Sequence, residues 1–365
     1  DWTVYERKFP QGIKYFADYV HEQGLKFGLW FEPEMISIDS KLYQEHPEYL
    51  MQVPGRKPSP SRNQFILDLT QKAVRENVVA QLSALLDGGF IDYIKWDMNR
   101  SITECYSAAL PADRQGEVFH RYILGVYDLY ERLNTAFPQI LFESCASGGG
   151  RFDPGILYYA PQGWTSDDTD AAERVKIQYG TSMCYPVSSM GSHVSVVPNH
   201  QLNRKTPLHT RANVAYFGTF GYELDLNKLS YEEISEVKQQ IAFMKEYREL
   251  IQFGTFYRLK SPFEGNETAW MTVSEDKKTA LVFWYRERNV VNADFTRVRL
   301  QGLDPDFIYR NEYNGTENYG DELMNLGLLT TDCTAGEPTS EDAPCTDYES
   351  RIYVLTTVAR IPSPL

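Results

Sequence analysis

Residues 93–100 read YIKWDMNR. In an extended chain alternate side chains share a face, so Lys95, Asp97 and Asn99 point one way and Trp96 and Met98 the other. A half-buried strand that turns a cation, an anion and an amide to one side holds the parts of a reactive carboxylate. An ammonium beside Asp97 favours the ionised form, which suits a nucleophile or an electrostatic stabiliser. A structural Lys–Asp pair at a strand edge is the plainer alternative.

Four other stretches carry chemistry-bearing residues. WFEPEM (30–35) places Trp30, Glu32 and Glu34 at i, i+2 spacing, expected on one face. SRNQ (61–64) offers Arg62 from a long loop after a strand. ESCASGGGRFD (143–153) combines Cys145 with Gly148, Gly149 and Gly150, glycines that let a ligand approach the main chain. WTSDDTD (164–170) sets Asp167, Asp168 and Asp170 close together behind Trp164. Cys145 has no neighbouring His in sequence to activate it, and a small buried residue is its simpler reading. Trp30 and Trp164 suit pocket walls or plain core. The glycine run lacks the Lys-Ser/Thr ending of a phosphate loop and better fits close contact with a sugar hydroxyl, with a structural turn as the alternative.

The acidic clusters allow three chemistries. Divalent metal binding is disfavoured, because the spacing is not that of an EF-hand and no His completes a set. A solvated acidic loop is the second. Glycoside hydrolysis is the third and needs two carboxyls in different protonation states. Like charges around Asp167 would raise its pKa while Lys95 keeps Asp97 ionised, and such a split defines an acid and a nucleophile.

Elements that position these residues follow from periodicity. Residues 10–254 alternate short apolar runs with amphipathic helical segments. Ile13, Phe16 and Val20 mark a helix stopping near Gly24, and KFGLWFE (26–32) follows as a strand. Val74, Val78, Leu82 and Leu85 mark a helix before FIDYIKWD, and a long helix from about Gly116 to Ala136 precedes QILFESC. Ser230 with Glu233 forms a capping box for a helix running to about Gln252. Repeated strand–helix units imply a parallel sheet. The polar residues cluster at the carboxyl ends of the strands, where barrels and doubly wound sheets place active sites. No glycine-rich phosphate loop follows the first strand, which favours a (β/α)8 TIM-type barrel. From residue 255 onward TAWMTVSE, TALVFWYRE, RVRLQGL and RIYVLTTVA alternate with turns and predict an antiparallel β-sandwich. The expected domains are therefore 1–254 and 255–365.

Composition narrows the partners. The chain has 365 residues, a net charge of −14 and no basic cluster, which argues against nucleic acid and fits a neutral ligand. No run approaches eighteen apolar residues, so no transmembrane helix is expected. The first residue is Asp1, not Met, and the chain reads as a mature or truncated product, or as a fragment of a longer polypeptide. Cys333 and Cys345 bracket a polar loop that a disulfide would close. Asn266-Glu-Thr and Asn314-Gly-Thr are glycosylation sequons, though Asn99-Arg-Ser is a third, inside the suspected site. Secretion is the expectation, with a cytoplasmic location as the alternative.

Taken together, GLWFEPEM, RNQ, YIKWDMNR, ESCASGGGRFD, WTSDDTD, MGSHVS, FGYELDL and the C-terminal YGDELMNLGL resemble family 36 of the glycoside hydrolases, the α-galactosidases, over nearly the whole chain. The resemblance implies a retaining double displacement with Asp97 as nucleophile and Asp167 as acid/base. It places Trp30, Arg62, Lys95, Cys145, Gly148 and Trp164 at sugar-contacting positions, with Arg62 and Lys95 on ring hydroxyls and Cys145 and Gly148 near the 2-hydroxyl. It implies no metal and no organic cofactor, a neutral α-galactoside of the melibiose or raffinose type as substrate, and a homotetrameric parent.

The chain also departs from that pattern. Family members carry an N-terminal β-sandwich and two barrel strands, the second ending in an Asp-Asp pair that binds galactose; none of these stands in this sequence. Only strands three to eight of the barrel are expected. An unclosed barrel exposes edges that natural proteins avoid, so weak or no activity is expected of this chain alone. The competing readings are an α-N-acetylgalactosaminidase with more room near Cys145, a galactosyl-transferring relative, and a galactoside-binding protein without turnover.

Overall fold

The computed structural model describes residues 2–291, 295–330 and 347–360. They form two compact units, divided in sequence between Asp167 and Asp168.

In the first unit four parallel strands lie side by side in chain order: β1 (Gly28–Phe31), β2 (Tyr93–Trp96), β3 (Leu141–Ser144) and β4 (Gln162–Trp164). The helices α1 (Gly12–Glu22), α2 (Lys72–Leu86), α3 (Val118–Ala136) and α4 (Pro154–Tyr159) alternate with them. Val74, Val78, Leu82 and Leu86 bury one stripe of α2, and Val118, Tyr122, Val126, Leu129 and Leu133 one stripe of α3, the spacing that aligns side chains along a single helix face. Helix α3 passes so close to the main chain that a Cβ at Gly125 would stand 2.3 Å from the Leu69 carbonyl oxygen. Trp96 leaves β2 toward this helix, is fully buried, and stacks on Tyr130 at 4.4 Å between ring centroids.

The hydrogen-bond ladder runs one residue past each strand. Asp97 N–H donates to Phe31 O (2.8 Å) and Cys145 N–H to Trp96 O (2.7 Å). Both residues therefore stand just beyond the carboxyl ends of β2 and β3. Across the ladder Trp30 is level with Lys95, and Lys95 with Glu143. Among the described residues of this unit β1 has no strand on its far side. A cavity of about 520 Å³ opens there, lined by Trp2, Leu29, Trp30, Phe31, Glu32 and Val78 among others.

The second unit begins with α5 (Ala171–Ser182), β5 (Met190–Ser195), α6 (Leu208–Ala215), β6 (Thr219–Glu223) and α7 (Tyr231–Phe253). Strands β5 and β6 pair in parallel, and Ser230 and Glu233 make the expected capping box at the start of α7. After Gly254 the strands become antiparallel: β7 (Thr255–Lys260), β8 (Glu267–Val273), β9 (Thr279–Arg286), β10 (Phe307–Asn311), β11 (Glu317–Tyr319) and β12 (Glu349–Arg360), in the order β11-β10-β12-β9-β8-β7. Alternation explains why β8 and β9 are apolar on both sides. Ala269, Met271, Val273, Val282 and Trp284 face a core closed by Val298, Leu300, Leu323 and Leu328. Trp270 and Phe283 stack together and meet Phe217 edge-on. The second layer of this sandwich is slight, a ladder of Arg297–Val298 with Leu328–Leu329 plus the short helix Gly320–Asn325. Cys333 and Cys345, the expected disulfide, lie outside the described residues. No described helix is long and apolar enough to cross a membrane.

Candidate active site

Asp97 is 6% exposed and held by neutral donors. The Trp30 indole N–H, brought in by β1, donates to Oδ2 at 3.1 Å, the Asn99 amide donates to the same oxygen at 2.6 Å, and Met98 N–H donates to Oδ1 at 2.8 Å. Asn99 also donates to Glu32 Oε1 at 2.7 Å. Its amide thus belongs to the site, which removes the third sequon as a credible glycan acceptor.

The Cys145 thiol is a further hydrogen-bond partner of Asp97. Burial, and then the Asp97 charge, push that thiol well above its ordinary range. It stays protonated and serves as a donor, which disposes of a thiolate nucleophile.

The glycine turn docks the next strand. Gly148 adopts φ +79°, and a Cβ there would lie 2.7 Å from both Asp167 N and Ser166 Cα. A Cβ on Gly149 would lie 2.4 Å from Thr165 O. Only glycines let the 146–150 turn lie flat against the main chain that leaves β4. One continuous set of contacts thus runs from Trp30 through Asp97, Cys145 and Gly148 to Asp167.

Lys95 points to the same side. Its Nζ stands 3.2 Å from Glu143 Oε1 and 4.8 Å from the centroid of the Trp164 ring, a cation–π distance. Tyr93 donates to the other Glu143 oxygen, and the Gln162 amide donates to Tyr93 Oη. Burial and the neighbouring Glu143 push the Tyr93 hydroxyl up, so it remains a donor.

Arg62 is exposed at the tip of a turn closed by reciprocal hydrogen bonds between Ser61 and Gln64, with φ +52°. Arg100 tethers that turn to the Asp97 segment by donating to Ser59 O (3.0 Å) and Gln64 O (2.7 Å). The sequence offered a signal for Arg100 only in its adjacency to Asn99.

Two expectations need correction. Glu34 does not share a face with Trp30 and Glu32. β1 ends at Phe31, and a turn at Pro33-Glu34 breaks the alternation. Glu34 is fully buried, takes both carboxylate oxygens to Arg151 (2.7 and 2.9 Å), and accepts from Trp96 Nε1 (2.8 Å) and Tyr122 Oη (2.6 Å). It anchors the core beneath the site. Asp170 is likewise structural: it caps α5 by accepting from Ala172 and Glu173 N–H, and pairs with Arg204. Glu143 and Arg151 were missed. Glu143 stands two residues before Cys145, so period-two spacing could have found it, whereas Arg151 sits in a turn where spacing is silent. Among the described residues no trio of His, Cys, Asp or Glu is placed to hold a metal.

The chain is similar to known proteins along its whole length. The melibiase family model matches residues 1–254, and the model of the glycosyl hydrolase family 36 C-terminal domain matches residues 267–355. It is 57% identical over 328 residues to alpha-galactosidase 1 of Pediococcus pentosaceus, and 57% identical to alpha-galactosidase Mel36A of Lactobacillus acidophilus, covering 90% of this chain and 45% of each relative. Among solved structures, the family 36 alpha-galactosidase AgaA of Geobacillus stearothermophilus, as a variant in complex with raffinose, superposes with a TM-score of 0.92 at 49% identity, over 98% of this chain and 48% of that one. The alpha-galactosidase of Lactobacillus brevis matches with a TM-score of 0.94 at 50% identity, over 100% of this chain and 49% of that one. The chain spans about half the length of the relatives it matches, and its fold is part of a (β/α)8 barrel followed by a C-terminal β-domain. With the melibiase model matching residues 1–254 and the family 36 C-terminal model following it at 267–355, the chain belongs to glycoside hydrolase family 36.

Proposed function

We propose that this chain carries the catalytic core of a retaining exo-α-galactosidase. The observation that carries the reading is the single set of contacts from Trp30 through Asp97 and Cys145 to Gly148 and Asp167. In the first step Asp97 attacks the anomeric carbon of a terminal α-linked galactose. The glycosidic C–O bond breaks, and Asp167 protonates the departing oxygen. In the second, Asp167 takes a proton from water, whose oxygen attacks the anomeric carbon and breaks the ester to Asp97, so configuration is retained. Trp30, Arg62, Lys95, Cys145, Gly148 and Trp164 hold the sugar, with the protonated Cys145 thiol and the Gly148 main chain nearest the 2-hydroxyl. That crowding favours galactose over its 2-acetamido analogue.

Relatives named alpha-galactosidases and structures of AgaA variants with raffinose and stachyose support the substrate class. A neutral α-galactoside as ligand, a homotetrameric assembly, and secretion with glycans on Asn266 and Asn314 complete the proposal. No metal or organic cofactor enters it. The test uses the complete gene product on aryl α-galactoside and on the 2-acetamido analogue, with the first-formed sugar anomer read by NMR. Cleavage of the galactoside to α-galactose, lost in Asp97→Ala, is expected. Normal turnover in Asp97→Ala would sink the nucleophile assignment, and galactose binding without cleavage by the wild type would make this a binding protein.

A further inference from the structure

The Lys95 side chain is long and flexible, and its ammonium is a point charge with three donors. Something must hold it still if it is to recognise a sugar hydroxyl. Glu143 faces it directly across the ladder, 3.2 Å from ammonium nitrogen to Oε1. The Trp164 ring closes the other side at 4.8 Å.

Glu143 is itself fixed. It is 6% exposed on β3, its second oxygen accepts from the Tyr93 hydroxyl on β2, and Gln162 on β4 donates to that same hydroxyl. Three neighbouring strands thus converge on one carboxylate. Its Oε1 has no hydrogen-bond partner among the described residues and faces only the lysine charge. A buried carboxylate is tolerated when a charge of opposite sign answers it, and here that charge is on Lys95.

We propose that Glu143 is a positioning residue for the galactosidase reaction: its carboxylate pins the Lys95 ammonium at the floor of the sugar site, so that the remaining N–H groups meet the galactose hydroxyls. This rests on the α-galactosidase reading above. Glu143 touches neither the sugar nor the reacting atoms and acts through Lys95 alone. Loss of the pin weakens ground state and transition state alike, and such uniform losses raise KM without lowering kcat.

The test takes the complete gene product with aryl α-galactoside as substrate and galactose as competing ligand. Glu143→Gln should raise KM and the galactose inhibition constant together, by about tenfold, with kcat within about threefold of wild type. Lys95→Ala and the double variant Lys95→Ala/Glu143→Gln should share one KM within about twofold, because residues acting through one contact are not additive. An unchanged KM in Glu143→Gln, or losses that multiply in the double variant, would overturn the proposal. Should Glu143→Gln fail to fold, Tyr93→Phe frees the carboxylate from its clasp and should raise KM about threefold; no change there would overturn it equally. A wild-type protein without galactosidase activity would instead bring down the reading of the site, and this proposal with it.

Discussion

Gly148→Ala tests whether the glycine turn holds the proposed acid/base, Asp167, in place. An L-residue at φ +79° costs roughly 1–2 kcal/mol. The new Cβ would stand 2.7 Å from Asp167 N and Ser166 Cα, whereas carbon contacts settle at about 3.5 Å. About 0.8 Å must therefore be found. The obstacles are main-chain atoms, which cannot swing aside as a side-chain tip would. The movement falls on the residue that carries the proposed proton donor. A misplacement of about 1 Å costs on the order of 100-fold in rate.

The loss should depend on the leaving group. A sugar alkoxide needs protonation as it departs, and an activated phenolate needs it less. In the complete gene product, steady-state kcat/KM of Gly148→Ala should therefore fall by about 100-fold on melibiose, by clearly less on a nitrophenyl galactoside, and with a melting temperature only a few degrees lower. Gly116→Ala is the control: a Cβ there meets nothing within 4 Å, and both activity and stability should hold. A Gly148→Ala enzyme within threefold of wild type on melibiose would refute the docking argument.

Glu34→Gln leaves Arg151 buried without its counter-charge, and unbalancing such a pair costs about 3–5 kcal/mol. Denaturant titration should show that drop in stability, and a loss below about 1 kcal/mol would show that the pair is not the anchor described. Because burial and Asp97 keep the Cys145 thiol protonated, iodoacetamide at about pH 8 should label exposed Cys184 and spare Cys145. Peptide mapping that finds Cys145 labelled as fast as Cys184 would contradict this.

Much of the site was legible because a strand has a period of two. That period separated Lys95, Asp97 and Asn99 from Trp96 and Met98, and the latter two are buried against the helix side as it requires. The same rule, carried two residues too far, misplaced Glu34, because Pro33 ends the strand and the chain turns inward. Period-two spacing from Cys145 reaches Glu143, but the role of Glu143 was hidden for another reason. Its meaning comes from lying level with Lys95 on the adjacent strand, and register between strands fifty residues apart is written in packing, not in local pattern. Asp170 belonged to an acidic run whose crowding suggested chemistry. Its place before α5 makes it a helix cap, and Asp at a cap needs no further role.

Four carboxylates in the first unit are buried, those of Glu34, Asp68, Asp97 and Glu143, so burial does not tell their roles apart; their partners and their places do. Glu34 is matched by a guanidinium on both oxygens and two further donors, leaving no lone pair to offer a substrate. Glu143 divides itself between an ammonium and a phenol. Among the described residues Asp68 accepts only from Thr70, Gln71 and Ser107. Asp97 is likewise oriented by uncharged groups, an indole, an amide, a thiol and a peptide N–H, but Asp97 stands just beyond the carboxyl end of a strand of the parallel sheet. Such donors fix the direction of the carboxylate without supplying a counter-charge that attack would have to tear away. A group that must form and then release a bond to carbon needs that combination, and neutral partners together with a place at the strand end support the proposed role of Asp97 as nucleophile.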